Sequence, residues 1–364
     1  MKVLLLSAYD AGSHRRWREG LVAAMPGWEW TVLTLPPRYF SWRVRGNSLS
    51  WGRGEAAAIL RQPHDLVLAT SMTDLAALRG LVPELGRIPA AVYFHENQFA
   101  YPRSDRAFDS VEPQLLNIYT ALAGDLLLFN SEFNRSTLLQ GARRLLKRFP
   151  DCVPPGICAE IGHKSRVLPV PLEDRLFDSP AQELRGGRPR NAGPLEVCWA
   201  ARWEYDKGGE RLLEILQGLE RQGADYRLHL LGESFRNSPA EFTTIQREFS
   251  HRLGRVGFLP DRSQYLDTLR RSHVFLSTAH HEFQGLAVME ACALGCSPLV
   301  PDEQAYPELY PFENRYRSAS EAVDKIGRMS VFEEPLPVPD FSPYAWQQLG
   351  PAYRECLSGL ACMS

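Results

Sequence analysis

The chain contains 364 residues with a formal net charge of −2; 44% of its residues are hydrophobic and 23% are charged. This composition provides apolar material for two domains and excludes a largely disordered protein. No run reaches the roughly 20 apolar residues of a membrane span, and the apolar start is too short for a secretory signal, so we expect a cytoplasmic protein that does not enter membranes.

The first half alternates short apolar runs with amphipathic stretches, which predicts strands followed by helices. The near-continuous Val, Leu and Ile content of these runs is typical of parallel strands buried on both faces. The predicted strands are Val3–Ser7, Trp30–Leu35, Leu66–Thr70, Ala90–Phe94, Asp125–Asn130 and Val167–Pro171. The predicted helices are His14–Ala24, Gly54–Arg61, Thr73–Val82, Glu112–Ala123 and Glu132–Arg148.

A stretch rich in Gly, Pro and Arg, residues 178–194, interrupts this alternation and is the best linker candidate. The alternation then resumes at the predicted strand Leu195–Ala201 and continues to the predicted strand Ser297–Pro301. A final helix is predicted at Tyr344–Leu360. The expected organisation is an N-terminal domain, a linker, a C-terminal domain and a last helix that crosses back to the N-terminal domain, at residues 1–177, 178–194, 195–340 and 341–364.

Two such halves predict an α/β protein with two Rossmann-like, doubly wound parallel sheets. Ligands of open α/β sheets bind outside the carboxyl ends of the strands, so the residues directly after strands are the candidates for chemistry. We expect the two sheets to face an interdomain cleft that holds these residues.

The most informative segment is HHEFQGLAVMEACALGC, at residues 280–296. Its carboxylates Glu282 and Glu290 are eight positions apart, a spacing that places both on roughly one helical face. Gly285 lets the backbone approach a ligand closely, and the helix that starts there offers free N–H groups to a phosphate. Carboxylates are strong acceptors for paired sugar hydroxyls. The segment therefore predicts a site for a sugar phosphate.

A second segment, ARWEYDKGG at residues 201–209, also follows a predicted strand. Arg202 and Lys207 lie in its loop, where they can meet a diphosphate. Fixed cations there stabilise the charge that builds on a leaving diphosphate, which is more important in the transition state than in the ground state. No Asp-x-Asp motif of the metal-dependent type is present, so we expect neither a metal nor a resident cofactor.

Together these two segments resemble the retaining family 4 glycosyltransferases of GT-B fold. The resemblance implies that Arg202 and Lys207 hold the donor diphosphate, that Glu282 contacts the donor sugar and that Glu290 binds the nucleotide ribose. It also implies that the loop Gly257–Leu259 borders the base. The remaining residues that we assign to donor binding are Gly12, Ser13, Gly257, Phe258, Leu259, Phe283, Gln284, Gly285 and Leu286. For each residue alone, a surface ion pair or a helix cap is the alternative.

Polar residues also follow the strands of the first half. The segment YFHENQFAYP at residues 93–102 places His95 where the family has a histidine near the reacting sugar, and we predict a catalytic role for it. Polar side chains after a buried strand serve a site or bond internally. The residues predicted to contact the acceptor are His14, Glu96, Asn97, Gln98, Asn130 and Ser131. Asn130 or Ser131 can equally cap the next helix.

LPPRYFSWRVRGNSLSW, YFHENQFAYP and FNSEFNRSTLL together resemble the tRNA-queuosine α-mannosyltransferases. The likeness covers most of the N-terminal half. It implies GDP-mannose as donor and queuosine at the wobble position of aspartate tRNA as acceptor. The donor assignment depends on the resemblance, because no residue pattern here separates GDP from UDP.

The segment Arg38–Arg53 interleaves cations with aromatic rings, and residues 1–170 carry 20 basic and 15 acidic residues. Cations can bind phosphates while aromatic faces stack on unpaired bases, as an anticodon loop would require. The residues predicted to bind tRNA are Arg38, Trp42, Arg43 and Arg45, with Trp51 as a further stacking candidate. An amphipathic surface loop with a Trp anchored in the core is the alternative. A second basic run, Arg143–Arg148, is interpreted as a solvated helix face.

Two other functions are compatible with the sequence. A glycosyltransferase of the same fold could use a lipid-linked or polysaccharide acceptor, although no convincing apolar-basic membrane helix is present. A non-catalytic module that binds RNA or a nucleotide sugar is the second alternative. A dinucleotide-dependent dehydrogenase is disfavoured, because neither half has a G-x-G-x-x-G turn after its first strand.

Overall fold

A computed structural model describes residues 1–101, 110–149, 151–178, 193–331 and 336–362. Its contacts divide the chain into two compact units. Unit 1 comprises Met1–Pro171 with Trp346–Ser364, and unit 2 comprises Leu172–Ala345. Most of the predicted linker lies outside the described residues. Within the described part of the chain, no helix is long and apolar enough to cross a bilayer.

Unit 1 contains a six-stranded parallel sheet in the order β2-β1-β3-β4-β5-β6. Its central strands are entirely buried, as their uninterrupted apolar sequences predict. The strands are β1 (Lys2–Ser7), β2 (Glu29–Thr34), β3 (Leu66–Thr70), β4 (Ala90–Phe94), β5 (Leu126–Phe129) and β6 (Ser165–Val167). The helices are α1 (Gly12–Ala24), α2 (Phe40–Gly52), α3 (Ala57–Leu60), α4 (Leu75–Leu81), α5 (Glu112–Ala123), α6 (Glu132–Leu146) and α7 (Ile157–His163).

The last helix of the chain, Trp346–Cys362, belongs to unit 1 and packs against α1. The indole nitrogen of Trp17 donates to the Tyr353 hydroxyl over 3.1 Å, and that hydroxyl donates to the Pro169 carbonyl over 3.0 Å. Both rings are buried, so the contact joins the two ends of the chain through apolar packing and satisfied polar groups.

Unit 2 repeats the design with a parallel sheet in the order β12-β11-β10-β7-β8-β9. Its strands are β7 (Leu195–Ala200), β8 (Tyr226–Leu231), β9 (Leu253–Gly257), β10 (Val274–Leu276), β11 (Ser297–Pro301) and β12 (Arg315–Tyr316). Its α-helices are Gly209–Gln222, Ala240–Glu248, Arg262–Arg271, Leu286–Ala293, Tyr306–Leu309 and Ala319–Ser330.

The strand order reverses between β1 and β3 in unit 1 and between β7 and β10 in unit 2. Loops that leave neighbouring strands at such a switch point run in opposite directions and open a crevice at the carboxyl ends of the strands. The loops after β7 and β10 carry the two segments that the sequence identified, so the topology of unit 2 places them side by side.

Both ends of unit 2 meet in one isolated parallel bridge. Leu172 pairs with Ala345, and the Leu172 amide donates to the Tyr344 carbonyl over 2.8 Å.

One predicted strand was wrong, and helices or strands form in two regions where none was predicted. No helix was predicted within Arg38–Arg53, yet most of this segment is the helix α2. The strand predicted at Val167–Pro171 is instead β6, which ends at Val167. Pro169 and Pro171 cannot extend β6 because they lack the N–H that the ladder needs. Between the predicted strand Ser297–Pro301 and the predicted helix Tyr344–Leu360, where no element was predicted, β12 and the helix Ala319–Ser330 form.

Candidate functional site

Lys207 lies at the centre of the candidate donor site in unit 2. Its ammonium group donates to the His281 carbonyl over 3.0 Å and lies 3.4 Å from a Glu282 carboxylate oxygen and 3.3 Å from an Asp206 carboxylate oxygen. The amides of His280 and His281 both donate to the Asp206 carbonyl, which fixes the loop after β10 against the loop after β7. The structure therefore brings together the predicted residues Lys207 and Glu282.

The charges of this cluster are mutually dependent. Burial alone would lower the pKa of Lys207, but the carboxylates of Glu282 and Asp206 outweigh it and raise that pKa. Burial would raise the pKa of Glu282, but the Lys207 ammonium keeps it below its usual value. The positive charge of Arg202 opposes the protonation of Lys207. The two residues predicted to bind the diphosphate are therefore close enough for their charges to interact. Arg202 is half exposed and pairs with Glu204 at 2.6 Å.

The backbone next to Lys207 requires glycine. Gly208 has φ +68°, and a Cβ there would overlap the carbonyl oxygen of Thr278. Thr278 is itself held in place, because its hydroxyl donates to the Lys207 carbonyl over 2.8 Å and accepts from the Trp199 indole over 2.9 Å. The two loops thus approach each other as closely as backbone allows, which orients the Lys207 side chain.

Gly285 begins the helix Leu286–Ala293 in the left-handed conformation, with φ +76°. A Cβ there would meet the Tyr306 ring at 3.0 Å. A small cavity of about 30 Å³ lies beside this turn, and Lys207, Glu282 and Thr278 are among its lining residues. The cavity has room for about two water molecules, so a nucleotide sugar would have to lie mainly outside it.

The structure places Glu290 in a different environment from Glu282. Glu290 is 4% exposed. Its carboxylate accepts two hydrogen bonds from the Arg262 guanidinium, at 2.6 and 3.2 Å, and one from the Tyr265 hydroxyl at 3.1 Å. Arg262 also binds Glu173 at 3.1 Å. The ribose contact predicted for Glu290 therefore requires Arg262 and Tyr265 to leave one carboxylate oxygen available. Otherwise Arg262 would contact the nucleotide in its place.

The other predicted donor residues divide by exposure. Phe258, directly after β9, is 63% exposed and follows Gly257, whose φ is +93°, so its ring is accessible to a base. Phe283 and Gln284 are buried: Phe283 packs edge-on against His281, and the Gln284 amide donates to the Met289 sulfur. Leu259 and Leu286 are partly buried.

Two histidines stack at the carboxyl edge of the sheet in unit 1. The His14 and His95 rings lie 4.1 Å apart and are tilted by 18°. The nitrogens of His14 bond to the Tyr9 carbonyl at 2.8 Å and to a Glu96 carboxylate oxygen at 3.0 Å. His95 is 7% exposed, and its Nε2 atom has no hydrogen-bond partner among the described residues. An orphaned buried nitrogen is unfavourable by about 1–3 kcal/mol, which a ligand hydroxyl would relieve.

The pair His14–Glu96 sets the charge of both rings. Burial opposes protonation of His14, but the Glu96 carboxylate raises its pKa above the ordinary 6.5. Burial, together with the charge of His14, holds the pKa of His95 well below 6.5. His95 is therefore neutral near pH 7, when one of its nitrogens accepts and the other donates.

The Glu96→Gln variant is expected to lose stability in a pH-dependent way. A raised pKa means that the protonation of His14 stabilises the fold below pH 6.5 and that this gain disappears as the pH rises through the raised value. We expect the variant to be about 1–3 kcal/mol less stable than the parent near pH 6 and much closer to it near pH 9. Urea unfolding at the two pH values measures this difference.

Glu55 supplies the control, because it is exposed and forms no ion pair within the described part of the chain. Glu55→Gln should leave the pH dependence of unfolding unchanged. The depressed pKa of His95 makes the fold less stable as the pH falls below 6.5, and this effect is common to the parent and both variants. If Glu96→Gln lowered the free energy of unfolding equally at both pH values, His14 and Glu96 would not form an ion pair.

A buried amide network holds the loop that carries His95. The Asn130 amide donates to the His95 carbonyl over 2.9 Å, and the Asn97 amide donates to the Asn134 and Thr137 oxygens over 2.9 Å each. Asn97 is fully buried, and its side-chain oxygen accepts from two backbone amides, so no surface remains for an acceptor. Ser131 caps α6 through the Asn134 amide at 3.0 Å. These side chains therefore hold the His95 loop in place, and their hydrogen bonds do not depend on a bound substrate.

Gln98 lies at the edge of this network, where its backbone amide donates to the Asn117 side chain over 2.7 Å. Gly12 and Ser13 form the first turn of α1, whose N-cap residue Ala11 provides no side-chain hydrogen bond. The first amides of α1 therefore lack a side-chain cap, as a phosphate-binding turn would require.

The aromatic-basic segment divides into exposed and internal residues. Arg38 lies over the Tyr39 ring at 5.6 Å, and both Tyr39 and Trp42 are more than half exposed. By contrast, Arg43 is buried and donates to the Pro36 carbonyl, and Arg45 pairs with Asp74 at 3.3 Å and with Glu112 at 3.6 Å. The stacking role considered for Trp51 was wrong, because Trp51 is 3% exposed and packs in the core.

Comparison with known proteins assigns the chain to a family. The model of the N-terminal domain of tRNA-queuosine α-mannosyltransferases matches residues 2–172, and that of group 1 glycosyl transferases matches residues 181–313. A tRNA-queuosine α-mannosyltransferase of Drosophila melanogaster is 31% identical over 328 residues, which are 89% of this chain and 85% of that protein. The chain belongs to the tRNA-queuosine α-mannosyltransferase family. It is therefore a glycosyltransferase.

Solved structures similar to this family member identify the fold as GT-B. A sucrose-phosphate synthase from Thermosynechococcus elongatus matches with a TM-score of 0.75 at 15% identity, over 100% of both chains. HepE from Anabaena, solved with UDP and glucose, matches with a TM-score of 0.65 at 14% identity, over 99% of this chain and 100% of that chain. The predicted fold class, two Rossmann-like parallel sheets of GT-B type, is confirmed.

Sequence reasoning missed several residues that hold the two sites of this enzyme. Asp206 binds Lys207, and Arg262 and Tyr265 bind Glu290. Asp10, within the loop after β1, binds Arg18 at 3.0 Å. Asp206 carried a signal, since it lies beside Lys207 in the loop of the donor motif. Arg262 and Tyr265 carried none, because only the packing of their helix against Leu286–Ala293 shows which carboxylate they meet.

Proposed function

We propose that this glycosyltransferase transfers mannose from GDP-mannose to queuosine at the wobble position of aspartate tRNA, with retention of the anomeric configuration. The observation that carries the proposal is the joint placement of Lys207, Glu282 and the charge of Arg202 at the switch point of unit 2. Family membership supports mannose as the sugar and queuosine as its acceptor.

In the proposed mechanism the acceptor hydroxyl attacks the anomeric carbon from the face that the diphosphate leaves. The bond from that carbon to the phosphate oxygen breaks as the new glycosidic bond forms, and the hydroxyl proton passes to the departing phosphate. Arg202 and Lys207 stabilise the charge that develops on the diphosphate, a contribution that needs no metal ion. No dedicated enzymic base is required, because the leaving group accepts the proton.

The surrounding residues bind and orient the substrates in this proposal. Glu282 accepts hydrogen bonds from the sugar hydroxyls, since its depressed pKa keeps it ionised. Phe258 offers an exposed ring to the base, beside Gly257 and Leu259. The uncapped first turn of α1, at Gly12 and Ser13, is available to a phosphate. Neutral His95 orients a reacting hydroxyl through its orphaned Nε2 atom.

The acceptor tRNA would bind unit 1, where Arg38 and Trp42 expose a cation and an aromatic face. Such a pair suits an anticodon loop, whose unpaired bases stack while its phosphates attract cations. We place the enzyme in the cytoplasm together with its tRNA substrate.

Incubation of the purified protein with GDP-mannose and queuosine-containing tRNA tests this function. Mass analysis of the digested nucleosides should show queuosine with one added hexose, together with release of GDP. UDP-glucose and queuosine-free tRNA serve as matched controls for donor and acceptor. Transfer from UDP-glucose would exclude the proposed donor specificity, and transfer to a lipid-linked or polysaccharide acceptor but not to tRNA would exclude the acceptor. Tight tRNA binding without any transfer would indicate a non-catalytic module.

A further inference from the structure

A second concave surface of unit 1 lies where α6 ends and α7 begins. It encloses about 560 Å³, within the range of pockets that hold small ligands. Its lining combines the cations Arg143 and Lys147 with the apolar residues Leu146, Pro154 and Ile157 and with Phe149, whose ring is 37% exposed. None of the described residues that line it carries a carboxylate. We refer to this surface as the α6–α7 groove.

The charge around the α6–α7 groove is not neutralised within the described residues. Arg143, Arg144, Lys147 and Arg148 are all exposed, and none of them forms an ion pair there. At the other end of α6, by contrast, Arg135 binds Glu132 at 2.8 Å. Favourable interaction with the helix dipole accounts for cations at the end of α6, but it does not account for an apolar groove between them.

The chemistry of the groove favours RNA over an anionic membrane. Membrane-binding surfaces present protruding apolar side chains, whereas this surface is concave and admits a ligand. A nucleotide matches its features, because the cations can bind phosphates while a base or ribose packs on Phe149, Pro154 and Pro155. The exposure of the basic run agrees with the solvated helix face predicted for it, and the groove beside it is a feature that the sequence did not reveal.

The groove lies at a defined distance from the His95 loop. Helix α6 starts after Ser131, close to the Asn130 side chain that binds the His95 carbonyl, and it is 15 residues long. At 1.5 Å per residue, its two ends are about 22 Å apart. A folded RNA is large enough to contact both ends of this helix at once.

We propose that the α6–α7 groove binds a second segment of the acceptor RNA, with Arg143 and Lys147 on its phosphates and Phe149 against a base or ribose. This inference rests on the proposed function, since it takes the tRNA as the shared ligand. The groove adds affinity for the body of the RNA and takes no part in the chemical step.

The test measures binding of full-length, queuosine-free tRNA to the full-length protein by fluorescence anisotropy at several salt concentrations. The double variant Arg143→Glu with Lys147→Glu is compared with Arg221→Glu with Arg271→Glu. The control pair is also exposed and also lies in the last turns of helices, so it makes the same charge change with the same effect on helix dipoles. We expect the groove variant to bind at least about tenfold more weakly and to lower the salt dependence by about one to two phosphate contacts.

Two further measurements keep the result interpretable. Phe149→Ala should weaken binding without any change of charge, which covers the case in which the double variant does not fold. Cys158 lines the groove, so bound tRNA should slow its alkylation, whereas exposed Cys362 should react at an unchanged rate.

Equal affinity and salt dependence in the groove and control variants would overturn the proposal. So would pelleting with phosphatidylserine vesicles that is lost in the groove variant while its tRNA affinity is unchanged, because the surface would then bind membranes. Since binding is measured without sugar transfer, failure of the mannose assay leaves this result readable, and the reverse also holds.

Discussion

Replacing Arg202 with alanine is expected to lower turnover about 100- to 1,000-fold while leaving the fold intact. The guanidinium acts in the same electrostatic cluster as Lys207, where a departing diphosphate would gain charge. Because Arg202 is half exposed and its ion pair with Glu204 is open to solvent, its removal should change the free energy of unfolding by no more than about 0.5 kcal/mol. Release of GDP with saturating donor and queuosine-containing tRNA measures the loss.

Arg221→Ala is the matched control for this variant, since Arg221 is an exposed arginine of the same unit at the far end of a helix. It should retain the parent turnover. If the Arg202→Ala enzyme turned over within a few-fold of the parent, the leaving group would have to be stabilised by other residues, and the assignment of the diphosphate site would be rejected.

The second large effect is expected at Gly208. Replacement by alanine combines a left-handed backbone, at φ +68°, with overlap of the new methyl group and the Thr278 carbonyl oxygen. Thr278 cannot move aside freely, because Trp199 and the Lys207 carbonyl hold its hydroxyl. We expect a loss of about 3 kcal/mol or more in the free energy of unfolding, together with reduced turnover as Lys207 is displaced.

Gly223 provides an unusually close control for this substitution. It has the same φ of +68°, but a Cβ there would meet nothing within 4 Å. Gly223→Ala should therefore show only the backbone effect, about 1–2 kcal/mol, and normal turnover. Urea unfolding of both variants isolates the steric contribution. Equal losses at the two positions would mean that the two loops do not approach as closely as described.

The strands and the donor segment were predictable because their signals are local. Parallel strands buried on both faces have continuous apolar sequences, and the residues after such strands meet at one edge of a sheet. Lys207 and Glu282 are therefore in contact although 75 positions separate them. The pairing of Glu290 with Arg262 could not be predicted in this way, because it depends on how two helices pack.

Helix α2 shows a different reason for failure. Gly46, Asn47 and Ser48 are poor helix formers, and the mixture of cations and aromatics around them has no clear apolar face. Tertiary hydrogen bonds compensate: the Asn47 amide donates to the Met72 carbonyl over 3.1 Å, and its oxygen accepts from the Asp74 amide over 2.9 Å. A helix stabilised by contacts distant in sequence cannot be identified from its own residues.

The helix Ala319–Ser330, by contrast, begins with a local sequence signal. The Ser318 hydroxyl accepts from the Glu321 amide over 3.2 Å, and the Glu321 carboxylate accepts from the Arg317 amide over 2.9 Å. Ser318 and Glu321 have the Ser-x-x-Glu spacing of a capping box, which marks helix starts.

The bridge between Leu172 and Ala345 has a consequence for how this protein can vary. Unit 2 is inserted in the sequence of unit 1, and its first and last residues pair with each other. The two connections between the units therefore start from neighbouring points. Insertions with adjacent ends are tolerated and exchanged more readily than internal segments whose ends lie far apart. A graft of residues 172–345 from a relative would have to match the recipient at one paired junction.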